Sequence, residues 1–138
     1  MIERTLSIIK PDAMSKKLAG SIIKRLEDEG FKIIGIKLIY LKKEQAMAFY
    51  EEHKDKPFYH SLVNFITEAP VIVLALEKEN AVLDLRKLMG ATDPKKAELN
   101  TLRSLYGSNI ERNAIHGSAD LPSAERELNF FFAKYELI

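Results

Sequence analysis

Pro70-Val71-Ile72-Val73-Leu74-Ala75-Leu76 decides the fold of this chain. Six apolar residues follow the proline without a polar break, the pattern of a strand buried on both faces of a sheet. Just downstream, Ala81, Val82, Leu85, Leu88 and Met89 recur at helical spacing, and Gly90 closes that helix. Upstream, residues 31–41 are rich in β-branched and aromatic side chains and read as a long strand. Residues 43–53 between the two strands are helical in composition, and a short helix is predicted over 58–67. Thr5-Leu6-Ser7-Ile8-Ile9 forms the first strand, stopped by Lys10-Pro11-Asp12 because proline cannot donate to a ladder. A helix over 20–29, with Ile22, Ile23 and Leu26 on one face, ends at Gly30. Residues 91–113 are polar and aperiodic, with Asp93-Pro94 as a turn, and loops of such length are more often functional than idle. Asn113-Ala114-Ile115-His116 makes a short last strand, and Asp120 caps a final helix with Ala124, Leu128 and Phe131 inward. The order β-α-β-(α-α)-β-α-loop-β-α matches an α+β, ferredoxin-like (βαββαβ) plan in one domain spanning 1–138. Its sheet is expected to be mostly antiparallel with helices packed on one face, and with the long irregular loop before the last strand.

Composition narrows the class. Of 138 residues, 46% are hydrophobic and 30% charged, enough for the chain to bury roughly two thirds of its unfolded surface. Basic and acidic side chains number 21 and 20, for a net charge of +1. That balance argues against a broad polyanion-binding face, and so against a specific nucleic-acid partner. No apolar run approaches the ~18 residues of a membrane-spanning helix. The N-terminal Met1-Ile2-Glu3-Arg4-Thr5-Leu6 lacks the basic-then-apolar pattern of a secretory signal. The absence of cysteine removes disulfides, thiolate metal ligands and thiol nucleophiles together. With only His53, His60 and His116, a structural zinc site is not expected either. A cytoplasmic protein with no membrane partner is the expectation.

His116 is the first candidate for chemistry. It ends an apolar segment and precedes Gly117-Ser118, a step that lets backbone approach a ligand closely. A neutral imidazole is a competent nucleophile near physiological pH, and a hydrogen-bonded core histidine is the equal alternative. Glu127 lies at the margin of the final helix's buried face, positioned to orient that imidazole. Arg86, Thr92 and Arg103 bracket the irregular stretch. Two arginines and a hydroxyl suit phosphate oxygens, which guanidinium binds bidentately, although lone arginines are usually solvated. Lys10, at the end of the first strand, carries the same ambiguity. Phe58 after Pro57 either stacks on a base or joins the core. His53 and His60 flank a polar segment and read as surface residues. Neither a Gly-x-x-x-x-Gly-Lys phosphate loop nor a Gly-x-Gly-x-x-Gly turn occurs, and the protein-kinase and RNP1 motifs are missing too. Phosphate chemistry here needs a different design.

One segment, Asn113-Ala114-Ile115-His116-Gly117-Ser118, matches the Asn-x-x-His-Gly-Ser signature of nucleoside diphosphate kinases. The chain resembles that family over nearly its whole length. Glu3-Arg4-Thr5-Leu6, Ile9-Lys10-Pro11-Asp12, Phe49-Tyr50 and Lys54-Asp55-Lys56-Pro57-Phe58 carry the likeness in the first half. Ala69-Pro70-Val71, Leu88-Met89-Gly90-Ala91-Thr92-Asp93-Pro94, Thr101-Leu102-Arg103 and Ser123-Ala124-Glu125-Arg126-Glu127 carry it in the second. The resemblance implies ping-pong transfer of the γ-phosphate of ATP, or of another nucleoside triphosphate, to a nucleoside diphosphate, maintaining (d)NTP pools. On that reading His116 is the phosphohistidine nucleophile, Glu127 holds its ring, and Tyr50 stands close by. Arg86, Thr92 and Arg103 cradle the phosphates, while Lys10 and Asn113 reach the ribose hydroxyls and the migrating phosphate. Phe58 and Ile110 sandwich the base, and Leu62 extends their slot. Mg²⁺ bridges the nucleotide's phosphates and needs no carboxylate cage. The assembly is a homo-oligomer, tetramer or hexamer.

The chain departs from the family pattern at Ala119, where an acidic residue is usual, and at Asn100, where a glycine often precedes Thr-x-Arg. The alternative from another class is a catalytically silent ferredoxin-like module that senses a nucleotide. It would keep Phe58 and the arginines without needing His116 paired to Glu127.

Overall fold

The computed structural model describes residues 1–138. Four strands, β1 (Ile2–Ile9), β2 (Lys32–Ile39), β3 (Val71–Glu79) and β4 (Ile115–Gly117), form one sheet. Its order is β2-β3-β1-β4, with every neighbouring pair antiparallel. Seven helices cover it: α1 (Pro11–Ser15), α2 (Ala19–Asp28), α3 (Lys43–Phe49), α4 (Tyr59–Ile66), α5 (Ala81–Met89), α6 (Leu102–Tyr106) and α7 (Leu121–Phe131). Single 3₁₀ turns follow at Glu51–His53 and Lys134–Glu136. The architecture is α+β and ferredoxin-like.

The helices lie on both faces of the sheet, not on one as expected. Successive strand residues point to opposite faces, so an unbroken apolar run needs a cover on each side. Val71, Val73 and Ala75 enter a core with Ala46, Phe49, Val63, Leu128 and Phe131, from α3, α4 and α7. Leu74 and Leu76 enter the other core, with Ile22, Leu26, Leu85, Met89 and Leu102 from α2, α5 and α6. The apolar run Val71–Leu76 already carried this answer.

Other differences sit at element ends. β1 begins three residues earlier than predicted, at Ile2, and pairs with β3 along its whole length. Pro11 stops the strand but also opens α1, occupying the first helical turn where its missing N–H costs nothing. The helix predicted over 43–53 breaks after Phe49 into the 3₁₀ turn. The polar stretch before β4 contains α6, capped by the Thr101 hydroxyl, which accepts from Ser104 N–H at 3.4 Å. The last strand starts at Ile115 rather than Asn113, because Ala114 has φ +76° and cannot sit in a ladder. Asp120 caps α7 as predicted, accepting from Ser123 N–H at 2.8 Å with Pro122 in the first turn.

Gly90 turns the chain from α5 into the loop leading to α6, at φ +85° and ψ −175°. That backbone region is nearly glycine-only. A Cβ there would also stand 2.5 Å from Thr101 Oγ1. Gly90→Ala is expected to lower stability by about 2 kcal/mol or more, read from the urea unfolding midpoint. A wild-type midpoint would show that this backbone turn is not strained by a side chain.

Candidate active site

β4 is short because it only has to deliver one residue. His116 lies opposite Ile8 of β1, and its carbonyl accepts from Ser7 Oγ at 2.9 Å. After Gly117 the chain turns at Ser118, whose N–H donates to Leu6 O at 3.2 Å. The Asp120 cap then starts α7 back across the sheet, and two turns into it Glu127 returns beside His116. His116 Nε2 lies 2.7 Å from Glu127 Oε1, and Ser118 Oγ donates to the same oxygen at 2.8 Å. Glu127 is only 5% exposed. Burial alone would raise its pKa, but the hydrogen bond and charge of His116, the Ser118 hydroxyl and the Arg126 charge outweigh burial. The net effect holds the carboxyl below its usual range. An ionised carboxylate accepts, so the His116 proton belongs on Nε2 and the lone pair on Nδ1. Phe49 fixes the ring from the side, edge-on at 5.7 Å between centroids.

Around this pair stand three cations, Lys10, Arg86 and Arg103, that form no ion pair with any carboxylate. Lys10 is buried at the end of β1, and its Nζ donates to Asn113 Oδ1 at 2.8 Å. Burial, then the Arg103 charge, pushes its pKa down to about 8. Arg103, buried on α6, donates from Nη2 to Ile115 O at 2.8 Å and from Nη1 to Gly90 O at 3.3 Å. Its Nε is buried with no partner. Burial and the neighbouring Arg86 lower its pKa to about 10. Exposed Arg86 on α5 is thus close enough to act on Arg103 electrostatically. Thr92 joins the group through its carbonyl, which accepts from Asn113 Nδ2 at 3.0 Å.

The same amide nitrogen donates to Ile110 O at 2.9 Å, so Asn113 ties the cation cluster to the loop that carries Ile110. That loop is pinned to α4 by Ser61 Oγ donating to Glu111 at 2.8 Å, and to the turn just after α4 by Arg112 paired to Glu68 at 3.0 and 2.9 Å. Phe58 stands at the N-terminus of α4 with Leu62 one turn on, so Phe58 and Ile110 belong to facing elements, both largely exposed. A cleft of about 460 Å³ opens there, lined by Ser61, Asp93, Lys95, Ile110 and Glu111. Tyr50 caps α3, buried against Phe49 at 5.0 Å. Burial, then the charges of Glu127 and Glu111, pushes its phenol pKa up, so the hydroxyl stays protonated.

The structure therefore brings His116, Glu127, Lys10, Asn113, Thr92, Arg86 and Arg103 into one neighbourhood, with Tyr50 and the cleft at Ile110 beside it; Phe58 and Leu62 do not line that cleft. His53, expected on the surface, is half-buried between Tyr50 and Phe58, whose centroids lie at 6.4 and 5.7 Å, and its Nδ1 has no partner. His60 is exposed as expected. Sequence reasoning missed Ser118 and Asp12. Both lie inside quoted family segments, but only the fold aims their oxygens, Ser118 at Glu127 and Asp12 at the Ala114 N–H. Asn100 takes φ +73°, the left-handed backbone that a glycine there would adopt and that asparagine tolerates. No three His, Asp or Glu side chains gather into a metal-holding cluster, and no helix is long and apolar enough to cross a membrane.

A carboxylate-held histidine close to cations that no carboxylate pairs defines a site for an anionic, phosphorylated ligand. The chain belongs to the nucleoside diphosphate kinase family, whose profile matches residues 3–137. It is 51% identical over 136 residues to the nucleoside diphosphate kinase of Histophilus somni (strain 129Pt), covering 99% of this chain and 96% of that relative. Against the enzyme of a Nitratiruptor species it is 51% identical over 137 residues, 99% and 100% of the two chains. Among solved structures it superposes on Aquifex aeolicus nucleoside diphosphate kinase with TM-score 0.98 at 38% identity over both whole chains. On the halophilic enzyme of Halobacterium salinarum in complex with CDP the TM-score is 0.96 at 42% identity, over 100% of this chain and 92% of that one. The chain is thus a nucleotide-binding kinase of the class that moves phosphate between nucleoside tri- and diphosphates. The comparisons give no support to the catalytically silent sensor.

A Lys10 pKa of about 8 has a direct consequence. Phosphate oxygens at its Nζ favour the charged form and raise that pKa, so nucleotide binding takes up a proton when the free lysine is partly neutral. Calorimetric titration of ADP in buffers of differing ionisation enthalpy is expected to show uptake around pH 8–9, fading to none near pH 6.5. Lys10→Met removes it. Uptake of the same size in that variant assigns the proton elsewhere.

Proposed function

We propose that this chain carries the γ-phosphate of a nucleoside triphosphate to a nucleoside diphosphate through a phosphohistidine on His116, in two half-reactions. The observation that carries the reading is the 2.7 Å contact of His116 Nε2 with the buried Glu127 carboxylate, which leaves Nδ1 free with its lone pair. Nδ1 attacks the γ-phosphorus, an N–P bond forms, and the bond to the bridging β-γ oxygen breaks with its electron pair leaving on the nucleoside diphosphate. The imidazole becomes cationic as it takes the phosphoryl group, and Glu127 stabilises that charge through the retained Nε2–H. The second nucleotide reverses the sequence, its terminal diphosphate oxygen displacing Nδ1 from phosphorus.

A neutral nucleophile meets the anionic γ-phosphate without like-charge repulsion, and preorganised cations stabilise the charge spread over the transferring oxygens. Arg86, Thr92 and Arg103 take the phosphates, and Lys10 and Asn113 take the ribose hydroxyls and the migrating group. The neutral Tyr50 hydroxyl stands beside them as a donor. Phe58 and Ile110, with Leu62 behind, hold the base by stacking and apolar contact, which any base satisfies. Mg²⁺ is held mainly by the nucleotide's own phosphates, whose charge it neutralises. ATP and the other nucleoside di- and triphosphates are the partners, and the maintenance of (d)NTP pools in the cytoplasm is the role.

Brief incubation with γ-labelled ATP and Mg²⁺, followed by alkaline denaturation, tests the chemistry. Base-stable, acid-labile label that is lost in His116→Ala and can be chased onto added GDP is expected. ADP affinity should change little in that variant, since base and phosphate contacts come from other residues. Unlabelled wild-type protein that still binds ADP would overturn the reading.

A homo-oligomer, tetramer or hexamer, belongs to the same proposal. Its support is β2, a strand paired only to β3, whose other edge is met by the C-terminus at one point, Ile138 N–H donating to Ile34 O at 3.0 Å, and is otherwise open beside exposed Ile36, Leu38 and Tyr40 at 54, 68 and 62%. An open edge with apolar side chains calls for a partner. Light scattering should give a single assembled species for the wild type and smaller ones for Leu38→Glu. A wild-type monomer would refute this part.

A further inference from the structure

Between Asn113 and His116 the backbone makes a turn that an alanine adopts only under constraint. Ala114 has φ +76°, and Ile115 N–H donates across it to Asn113 O at 2.9 Å, closing a three-residue turn of the strained, positive-φ kind. Such a conformation persists only where the surroundings over-determine it. Here the surroundings come from the far end of the chain. Lys10 N–H donates to Ala114 O at 2.9 Å, and Asp12 Oδ2 accepts from Ala114 N–H at 3.0 Å. Both polar groups of the strained residue are thus held by residues 10 and 12. Asp12 is 6% exposed, and its other oxygen, Oδ1, is buried with no hydrogen-bond partner. A buried carboxylate bonded on one side only is costly, and its one bond goes to this turn.

We infer that Asp12 is a positioning residue for phosphotransfer, its Oδ2 pinning the Ala114 turn and thereby setting Asn113 on one side and His116 on the other. Asp12 touches neither partner of the reaction. It acts on the backbone that aims Asn113 at Lys10 Nζ and delivers His116 to Glu127 two residues later. Loss of that bond lets the turn relax toward ordinary φ, which rotates the peptide planes leading into β4 and moves Nδ1 from its line of attack. The inference rests on the phosphohistidine reading above and names the part that holds its geometry.

Three variants separate the hydrogen bond from the charge. Asp12→Asn keeps an acceptor for the Ala114 N–H and loses the charge, and its amide nitrogen takes the place of an oxygen that bonds to nothing. Asp12→Glu keeps the charge and displaces the acceptor by a methylene. Asp12→Ala removes both. Rapid-quench measurement of phosphoenzyme formation from labelled ATP and Mg²⁺ gives an amplitude, which counts folded competent molecules, and a rate constant, which reports alignment. Asp12→Asn is expected to stay within about threefold of the wild-type rate constant, whereas Asp12→Glu and Asp12→Ala fall at least about tenfold with amplitude retained, in keeping with the steep cost of small misplacements. ADP affinity by calorimetry should change by less than about threefold, since most phosphate and base contacts lie elsewhere. A wild-type rate constant in Asp12→Glu overturns the inference, and so does an Asp12→Asn variant that is as slow as Asp12→Glu. Should Asp12→Ala fail to fold, the Asn and Glu variants decide alone. Wild-type protein and His116→Ala run alongside report the phosphohistidine reading separately. Absence of label in the wild type would overturn that reading and this one together, whereas normal wild-type labelling with indifferent Asp12 variants overturns this one only.

Discussion

A carboxylate taken out of water has to be bonded, and the arrangement that bonds Glu127 organises the rest of this site. Its Oε1 receives both His116 Nε2 and Ser118 Oγ, and Arg126 Nη2 stands 3.8 Å from Oε2. Those contacts outweigh burial and keep the group charged. The charge in turn fixes the histidine tautomer, because an ionised carboxylate can only accept. A single buried acid therefore determines which ring nitrogen carries the proton and which keeps its lone pair. The Asp120 cap, the short β4 and the Ser118 turn have their positions set by the need to bring residues 116 and 127 within one hydrogen bond.

The second constraint is electrostatic. Lys10 and Arg103 are buried close to one another, Arg86 stands near Arg103, and none of the three forms an ion pair; burial first, and then the neighbouring cation, pushes the pKa of Lys10 and of Arg103 down. Such a cluster is unfavourable in the empty protein. Carbonyls of Gly90 and Ile115, and the Asn113 amide, hold the side chains without cancelling their charge. An anionic ligand removes the repulsion, so part of the strain built into the fold is released on binding and charge stabilisation is in place before transfer begins. The family relationship and this geometry agree on a site that suits phosphate, and its buried carboxylate bonds the His116 ring.

Much of the fold was legible in local pattern. The run Val71–Leu76 carried the doubly covered central strand, even though helices on one face only were expected. Asp120 and Gly90 marked helix ends correctly, because capping is a property of a few adjacent residues. The helix α6 was hidden: five residues inside a polar stretch have too little periodicity to register, and tertiary packing of Leu102 stabilises them. The positive φ of Ala114 was hidden as well, since nothing about alanine announces a left-handed turn.

The candidate side chains were readable by type, and the motif around His116 carried the family resemblance. Their mutual aim was not. Lys10 meets Asn113 across 103 positions, Asp12 meets Ala114 across 102, and Leu6 meets Ser118 across 112. Contacts of that span depend on the antiparallel register of β1 with β4, which no local pattern encodes. The sequence by itself determined the apolar strand and helix faces, the helix ends marked by Gly90 and Asp120, and which side chains can carry charge, because these follow from neighbours a few positions away. Only the tertiary structure decided that Nε2 rather than Nδ1 meets the carboxylate, that three cations gather without an ion-pair partner, and that a strained turn is held from the far end of the chain, because each of these is a distance between atoms that the sheet alone brings together.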